Sequence, residues 1–104
     1  MTDLRTCLLG RWIHSHEEDT DSTEVYRPAE YAFPPARGRT GYDFMPDGQA
    51  IYLGIAAADG STHVRGRWHL EASDRVSVTM EDPRIQPMVL RVLDCAPDKL
   101  VLSR

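Results

Sequence analysis

The chain of 104 residues has no apolar run long enough to cross a bilayer and no excess of basic charge. A membrane-spanning helix needs about 20 apolar residues, so we expect no membrane insertion. Contacts to phosphate need a basic surface, whereas this chain carries 12 basic and 16 acidic residues, so we expect no nucleic-acid partner. Residues 1–5 contain no apolar signal segment, and we therefore expect a cytoplasmic protein.

The common motifs of catalysis and cofactor binding are also missing. The chain has no GxSxG nucleophile turn, no glycine-rich phosphate loop and no HExxH zinc motif. Cys7 and Cys95 lie near opposite ends of the chain, without the CxxC spacing of a metal site. We expect two free, buried thiols, and a disulfide between them is the alternative if the protein is exported. We expect no cofactor and no metal.

What the chain does contain is a regular alternation of turn signals and β-prone segments. Pairs such as Asp47-Gly48 and Asp59-Gly60 supply the backbone angles of tight turns, and they recur at short intervals. Runs of about five to ten residues rich in Val, Ile, Thr, Tyr and Trp separate them, which predicts β hairpins. A chain of this length with 41% hydrophobic residues builds one domain with a thin core.

We predict eight strands and one short helix. The helix covers residues 2–9, where Leu4, Leu8 and Leu9 lie on one side. The strands are predicted at residues 10–17, 22–27, 30–33 or 38–45, 49–57, 62–71, 75–81, 87–95 and 99–104. A closed barrel is favoured because closure removes exposed sheet edges. The predicted fold is therefore an all-β, single-domain, antiparallel up-and-down barrel spanning residues 1–104.

Side chains alternate between the two faces of a strand, and this alternation predicts which residues face the barrel interior. In the later strands the inward residues are Val64, Gly66, Trp68, Leu70, Val76, Val78 and Met80. If Trp12 faces the core, then His14 and His16 face it as well. Leu100, Leu102 and Arg104 share one face of the last strand.

Several short motifs follow one another in an order that resembles the lipocalin-like (calycin) superfamily. The segment LLGRW at residues 8–12 resembles its GxW opening, and later segments resemble small bacterial members: FMPDG at 44–48, ADG at 58–60, GRW at 66–68 and KLVLSR at 99–104. The likeness extends over residues 8–104. It implies an eight-stranded up-and-down barrel with a ligand cavity.

The resemblance also implies structural roles for individual residues. Gly10 lets the backbone approach closely while the Trp12 indole plugs one end of the barrel. Gly66 and Trp68 form a second GxW pair. Arg104 is the candidate for the late-strand arginine that lies across the Trp12 ring, where a stacked guanidinium stabilises the closed end.

The predicted ligand site lies inside the barrel. Its wall residues are Trp12, His14, His16, Tyr52, Trp68 and Met80. Two imidazoles at i and i+2 project side by side, as a shared metal would require, but Thr20 and Asp21 stand where the motif needs a glutamate. We therefore expect His14 and His16 to donate hydrogen bonds to a ligand, or to lie partly solvated near the rim.

Two further segments are distinctive. Residues 17–21 are acidic but lack the glycine and closing glutamate of a calcium loop, so we interpret them as a solvated hairpin tip. Residues 26–39 contain three aromatics, three prolines and three arginines, a composition typical of a lid or a partner surface. Here Arg37 and Arg39 are predicted to meet an anionic ligand. The alternative is an irregular strand whose aromatics complete the core.

Three functions are compatible with this sequence. The first is non-catalytic binding of a small, largely apolar molecule inside the barrel, and it requires a cavity of roughly 300 Å³ or more. The second is a cyclase or isomerase with His14 or His16 as general acid–base. The third is a filled barrel that acts as a protein-interaction subunit through residues 26–39, with a homodimer as one form.

Overall fold

A computed structural model of the chain describes residues 3–35, 39–54 and 62–104. It contains a short helix, α1 (Leu4–Leu8), and eight strands: β1 (Gly10–His14), β2 (Thr23–Pro28), β3 (Gly41–Phe44), β4 (Gln49–Gly54), β5 (Thr62–Ala72), β6 (Arg75–Met80), β7 (Met88–Ala96) and β8 (Lys99–Ser103). Of the two alternatives for the third strand, residues 38–45 are right and 30–33 are wrong, because a turn follows β2 there. In the described part of the chain, no helix has the length and apolar character needed to cross a membrane.

The eight strands close into an antiparallel barrel, which confirms the predicted fold class. The order around the barrel is β1-β2-β8-β7-β6-β5-β4-β3, and β3 pairs again with β1. Strands β3 to β8 follow one another as neighbours, as in an up-and-down barrel. The order differs at the first two strands, because β1 lies between β2 and β3, and β8 pairs with β2 instead of β1. β2 ends at Pro28 beside Trp12, whereas β3 begins at Gly41 beside Ile13, nearer the other end of β1.

The barrel has two different ends. The start of β1 and the turns after β3, β5 and β7 lie at the end that carries α1, which we call the helix end. At the opposite end, which we call the rim, β1 finishes at His14, β2 begins at Thr23 and β8 finishes at Ser103. The two ends carry different chemistry.

Both indoles face the interior, as the alternation predicts. Trp12 and Trp68 are each 3% exposed, and they donate their indole N–H groups to the carbonyl oxygens of Leu8 and Met45 at 2.9 and 3.0 Å. A buried N–H without an acceptor is costly, so these bonds fix both rings at the helix end. The other predicted inward residues are buried or packed against the core: Val64, Gly66, Leu70, Val76, Val78, Met80, Leu100 and Leu102.

A file of aromatic rings fills the interior between the rim and the helix end. It runs through His14, Tyr26, Tyr42, Phe44 and Trp68, with successive ring centroids 5.0, 5.7, 5.7 and 5.2 Å apart. The Tyr42 hydroxyl also reaches from β3 to the sulfur of Met88 on β7, at 3.7 Å. Side chains of this size fill the middle of an eight-stranded barrel.

The two glycines of the GxW pairs act differently. A Cβ on Gly66 would overlap the Thr79 carbonyl oxygen, so this glycine allows β5 and β6 to approach closely. Gly10 has φ +117°, a conformation that other residues rarely adopt, and open space surrounds its Cβ position. The resemblance implied close approach at Gly10; the structure requires a backbone conformation there instead.

The prediction that His14 and His16 share an inward face is wrong. β1 ends at His14, and Ser15 precedes a 3₁₀ turn, His16–Glu18, in which strand alternation no longer applies. The Ser15 amide donates to the Val25 carbonyl at 2.8 Å, which ties the turn to β2. The His16 side chain is 54% exposed, whereas that of His14 is 19% exposed.

The prediction of free thiols is also wrong, because Cys7 and Cys95 form a disulfide. The Cα atoms lie 6.3 Å apart, and the bond joins α1 to the end of β7. Asp3 caps the helix by accepting a hydrogen bond from the Thr6 amide at 2.8 Å. A helix of five residues is unstable in isolation, so these attachments and the burial of Leu8 hold α1 on the barrel.

Replacing Trp12 by alanine is expected to lower the free energy of unfolding by about 3–5 kcal/mol, because it removes a buried indole and its hydrogen bond. Val89→Ala is the control: this apolar side chain is 58% exposed, and its loss is expected to cost less than about 0.5 kcal/mol. Urea denaturation of both variants measures the difference. Equal midpoints would contradict the position of the indole.

The Cys7→Ser/Cys95→Ser variant is expected to lose about 2–4 kcal/mol of stability, because the disulfide restricts the unfolded chain across most of its length. Dithiothreitol should lower the free energy of unfolding of the unmodified protein by a similar amount and leave that of the variant unchanged. A thiol assay on the unfolded, unreduced protein provides an independent check. Two reactive thiols in that assay would contradict the disulfide.

Candidate functional site

Four of the six predicted wall residues share one hydrophobic core: Trp12, Trp68 and Met80 are buried in it, and Tyr52 packs against it. The indoles lie in the core at the helix end, and His16 lies outside the barrel. His14 is partly buried at the rim. The structure therefore brings four of the six residues together in the core and leaves the two histidines at the rim or outside the barrel.

Arg39, predicted to meet an anionic ligand, is occupied by the chain itself. Its guanidinium donates to both carboxylate oxygens of Glu17, at 2.9 and 2.6 Å, and to the carbonyl oxygens of His14 and Pro34. The hydrogen bonds from Arg39 lower the pKa of Glu17 to about 2. An anionic ligand at Arg39 would have to replace these contacts. Arg37 lies outside the described residues.

The acidic segment 17–21 differs from the expected solvated tip. Glu18 accepts hydrogen bonds from the Arg27 guanidinium at 2.6 and 2.8 Å, and another from the Ser15 hydroxyl at 2.8 Å. These bonds, that of Arg27 foremost, lower the pKa of Glu18 to about 2. The Asp19 side chain is only 9% exposed, because the turn folds it back over the rim.

Asp19 and Glu24 meet His14 at the rim. The Asp19 Oδ2 atom lies 2.8 Å from His14 Nε2, and Asp19 Oδ1 accepts a hydrogen bond from the Val25 amide at 2.9 Å. Glu24 lies two residues before Tyr26 on β2, and its Oε1 atom accepts a hydrogen bond from the Tyr26 hydroxyl at 3.4 Å. We call His14, Asp19 and Glu24 the rim cluster; one donor atom from each lies within 4.8 Å of the others.

Arg104 does not lie across Trp12, as the lipocalin resemblance implied. β8 runs towards the rim, where the Arg104 guanidinium donates to Asp19 Oδ2 at 3.2 Å and to the Thr23 carbonyl oxygen at 3.4 Å. Trp12 lies towards the other end of the barrel. Arg5 of α1 is an arginine that does stack on an indole, with its Cζ atom 4.9 Å from the centroid of the Trp68 ring.

The phenols of Tyr26 and Tyr42 are buried below the rim. Burial, with a smaller contribution from Tyr42 and Glu24, raises the pKa of Tyr26 far above its ordinary value. Burial likewise raises the pKa of Tyr42 to about 12. Both phenols therefore stay protonated at neutral pH and act there as hydrogen-bond donors.

A half-open groove of about 640 Å³ lies at the helix end, between α1 and the barrel strands. Its lining residues come from α1, β1, the end of β2 and the β7–β8 hairpin: Thr6, Cys7, Leu9, Gly10, Arg11, Trp12, Pro28, Glu30, Cys95, Ala96 and Pro97. Both halves of the disulfide belong to this lining. We call it the disulfide groove.

Sequence reasoning missed both the rim cluster and the disulfide groove. Glu24 carried a usable signal, because it lies two residues before Tyr26 on β2 and residues two apart on a strand point to the same face. Glu24 therefore shares the inward face of Tyr26. Asp19 carried none, since it lies in a turn whose position depends on arginines that are distant in sequence. The disulfide groove combines residues from the two ends of the chain, which only the closed barrel brings together.

Comparison of the chain with protein-family models, with curated proteins and with solved structures finds no match. The closed antiparallel barrel is compatible with a lipocalin-like fold. Membership of that superfamily remains a hypothesis based on the motifs.

Replacing Glu18 by glutamine is expected to destabilise the protein by about 1 kcal/mol at neutral pH, because it breaks a partly solvated ion pair with Arg27. The pKa of Glu18 falls from 4.5 to about 2 on folding, so its contribution is complete above pH 4.5 and is lost as the pH falls towards 2. The gap in unfolding free energy between the two proteins should therefore close over this range.

Glu81→Gln is the matched control, because Glu81 is exposed just after β6. Its profile of stability against pH should run parallel to that of the unmodified protein. Denaturation measured at several pH values provides the comparison. A Glu18→Gln profile parallel to that of the unmodified protein would contradict the ion pair.

Proposed function

We propose that this barrel is a non-catalytic binding protein for a small, largely apolar molecule, and that the molecule binds in the disulfide groove. The observation that supports the proposal is the volume of about 640 Å³ in this groove, which falls within the range of small-molecule sites. Aromatic rings occupy the described interior. The proposal keeps the ligand class predicted from the sequence and moves the site to the groove at the helix end.

The lining of the disulfide groove suits a molecule with an apolar body and a small polar end. Its apolar residues include Leu9, Trp12, Pro28, Ala96 and Pro97. Polar groups line it as well: Thr6 offers a hydroxyl and Glu30 an exposed carboxylate. Arg11 is already paired with Asp43 at 3.2 Å, which weakens its attraction for an anion. We therefore propose a neutral or weakly basic ligand.

The disulfide groove is held in shape before a ligand arrives. The disulfide fixes α1 against β7, and the Trp12 indole bonds to Leu8 at the end of α1. Pro28 and Pro97 stiffen two of the surrounding segments. A preformed site loses little conformational entropy on binding, which favours affinity.

The catalytic alternative has one supporting observation, the contact of His14 with Asp19 at 2.8 Å. His14 lies at the rim, about 13 Å along β1 from Gly10 in the groove. The described lining of the groove does not include His14. His16 is more exposed than His14 and lies further along the turn. We propose binding without catalysis.

The alternative function, a protein-interaction subunit, would use residues on one side of the disulfide groove. Pro28 and Glu30 belong to residues 26–39 and line the groove, and Tyr31 next to them is 39% exposed. The Arg27 guanidinium lies over the Tyr31 ring, with its Cζ atom 4.9 Å from the ring centroid, and the Phe33 ring meets the Tyr31 ring edge-on at a centroid distance of 4.9 Å. A protein partner would use this exposed aromatic and cover the groove, so it competes with a small ligand.

The location of the protein is a separate proposal. The sequence analysis expects the cytoplasm and free thiols. The Cys7–Cys95 disulfide supports an oxidising compartment instead, because cytosolic reductants keep most cysteine pairs as thiols.

Ala96→Phe is expected to weaken binding of the neutral fluorescent probe N-phenyl-1-naphthylamine at least tenfold, because the larger side chain fills the disulfide groove. A fluorescence titration of the unmodified protein should show a single saturable site. Thr79→Phe adds the same ring at an exposed position on β6 and should leave the affinity unchanged. Equal affinities for all three proteins, or no saturable binding, would contradict the proposal.

A further inference from the structure

The rim cluster has the donor atoms of a metal site. His14 offers an imidazole nitrogen, and Asp19 and Glu24 each offer a carboxylate oxygen, all within 4.8 Å of one another. Ligand atoms about 2.1 Å from a tetrahedral zinc ion lie about 3.4 Å apart. His14 Nε2 and Asp19 Oδ2 are 2.8 Å apart, so these two atoms must separate slightly to share an ion. The flexible Glu24 side chain supplies the rest of the adjustment.

Outer contacts hold each of the three side chains. The Val25 amide holds the second oxygen of Asp19, the Tyr26 hydroxyl lies 3.4 Å from Glu24, and the Tyr26 ring stacks on His14 at a centroid distance of 5.0 Å. Such partners orient metal ligands and limit the entropy lost on binding.

The combination of donors selects the class of ion. One imidazole nitrogen with two carboxylate oxygens suits zinc and related divalent transition metals, whereas magnesium and calcium prefer oxygen ligands alone. Three protein ligands leave a fourth position for water on the side of the rim.

One group opposes a cation at this site. Arg104 donates to Asp19 Oδ2 at 3.2 Å, and its positive charge would repel a metal ion. Its side chain is 48% exposed, so it can move into solvent. A metal ion would take the place of both this guanidinium and the proton shared by His14 and Asp19.

We propose that His14, Asp19 and Glu24 bind a divalent transition-metal ion of the zinc class, in competition with Arg104. The site is independent of the disulfide groove, which lies at the other end of the barrel. The expected ligand set differs from the HxH pair of the sequence, because the two carboxylates take the role that His16 would have had.

Isothermal titration of the full chain with zinc chloride tests the proposal. The unmodified protein should bind one equivalent, and His14→Ala and Asp19→Asn should each weaken binding at least tenfold. Glu24→Gln keeps the size of the side chain and should weaken binding as well. His16→Ala is the control and should stay within twofold of the unmodified protein. Thermal melting of each variant verifies that it folds.

Arg104→Gln gives the sharpest outcome, because a variant that removes a competing charge should bind zinc at least threefold more tightly. Cobalt(II) provides a second readout, since a tetrahedral site with a nitrogen ligand gives a visible absorption band that His14→Ala should remove. No binding by the unmodified protein would overturn the proposal. So would an equal loss in His16→Ala and His14→Ala, or weaker binding by Arg104→Gln.

Discussion

The structure depends on the pairing of β1 along both of its edges. This strand of five residues bonds to β2 on one side and to β3 on the other, and in doing so it closes the barrel. Closure turns Trp12 inward and places the file of aromatic rings in the interior. It also places Gly10 in the disulfide groove and His14 in the rim cluster, so the two proposed sites lie at opposite ends of one strand.

Three arginine–carboxylate pairs attach further segments to the rim of the barrel that β1 closes. Arg27 binds Glu18, which lies 9 residues away, whereas Arg39 binds Glu17 and Arg104 binds Asp19 across 22 and 85 residues. Together they hold the 3₁₀ turn and the connection after β2 against the rim. Partly solvated pairs of this kind contribute little energy individually, but they place the acidic side chains. Asp19 is held beside His14 independently of Arg104 as well, because its Oδ1 atom accepts a hydrogen bond from the Val25 amide at 2.9 Å.

Strand positions and interior residues were predictable because they follow from local rules. Turn residues marked the hairpins, and alternation assigned Trp68, Val76 and Val78 to the interior. The errors arose where local rules stop. Alternation was extended past the end of β1 to His16, and Arg104 was assigned to the helix end although β8 runs to the rim. The thiol prediction failed for a similar reason, since pairing of Cys7 with Cys95 depends on where α1 packs.

The amino-acid sequence by itself determined an all-β fold, its hairpins and the inward position of its indoles, because turn propensity and side-chain alternation act between close neighbours in the chain. Only the tertiary structure decided the disulfide, the groove beside it and the meeting of His14 with Asp19 and Glu24. Each of these joins segments through the closed barrel and its long-range ion pairs. Their energies depend on distances in space, which no local pattern of residues encodes.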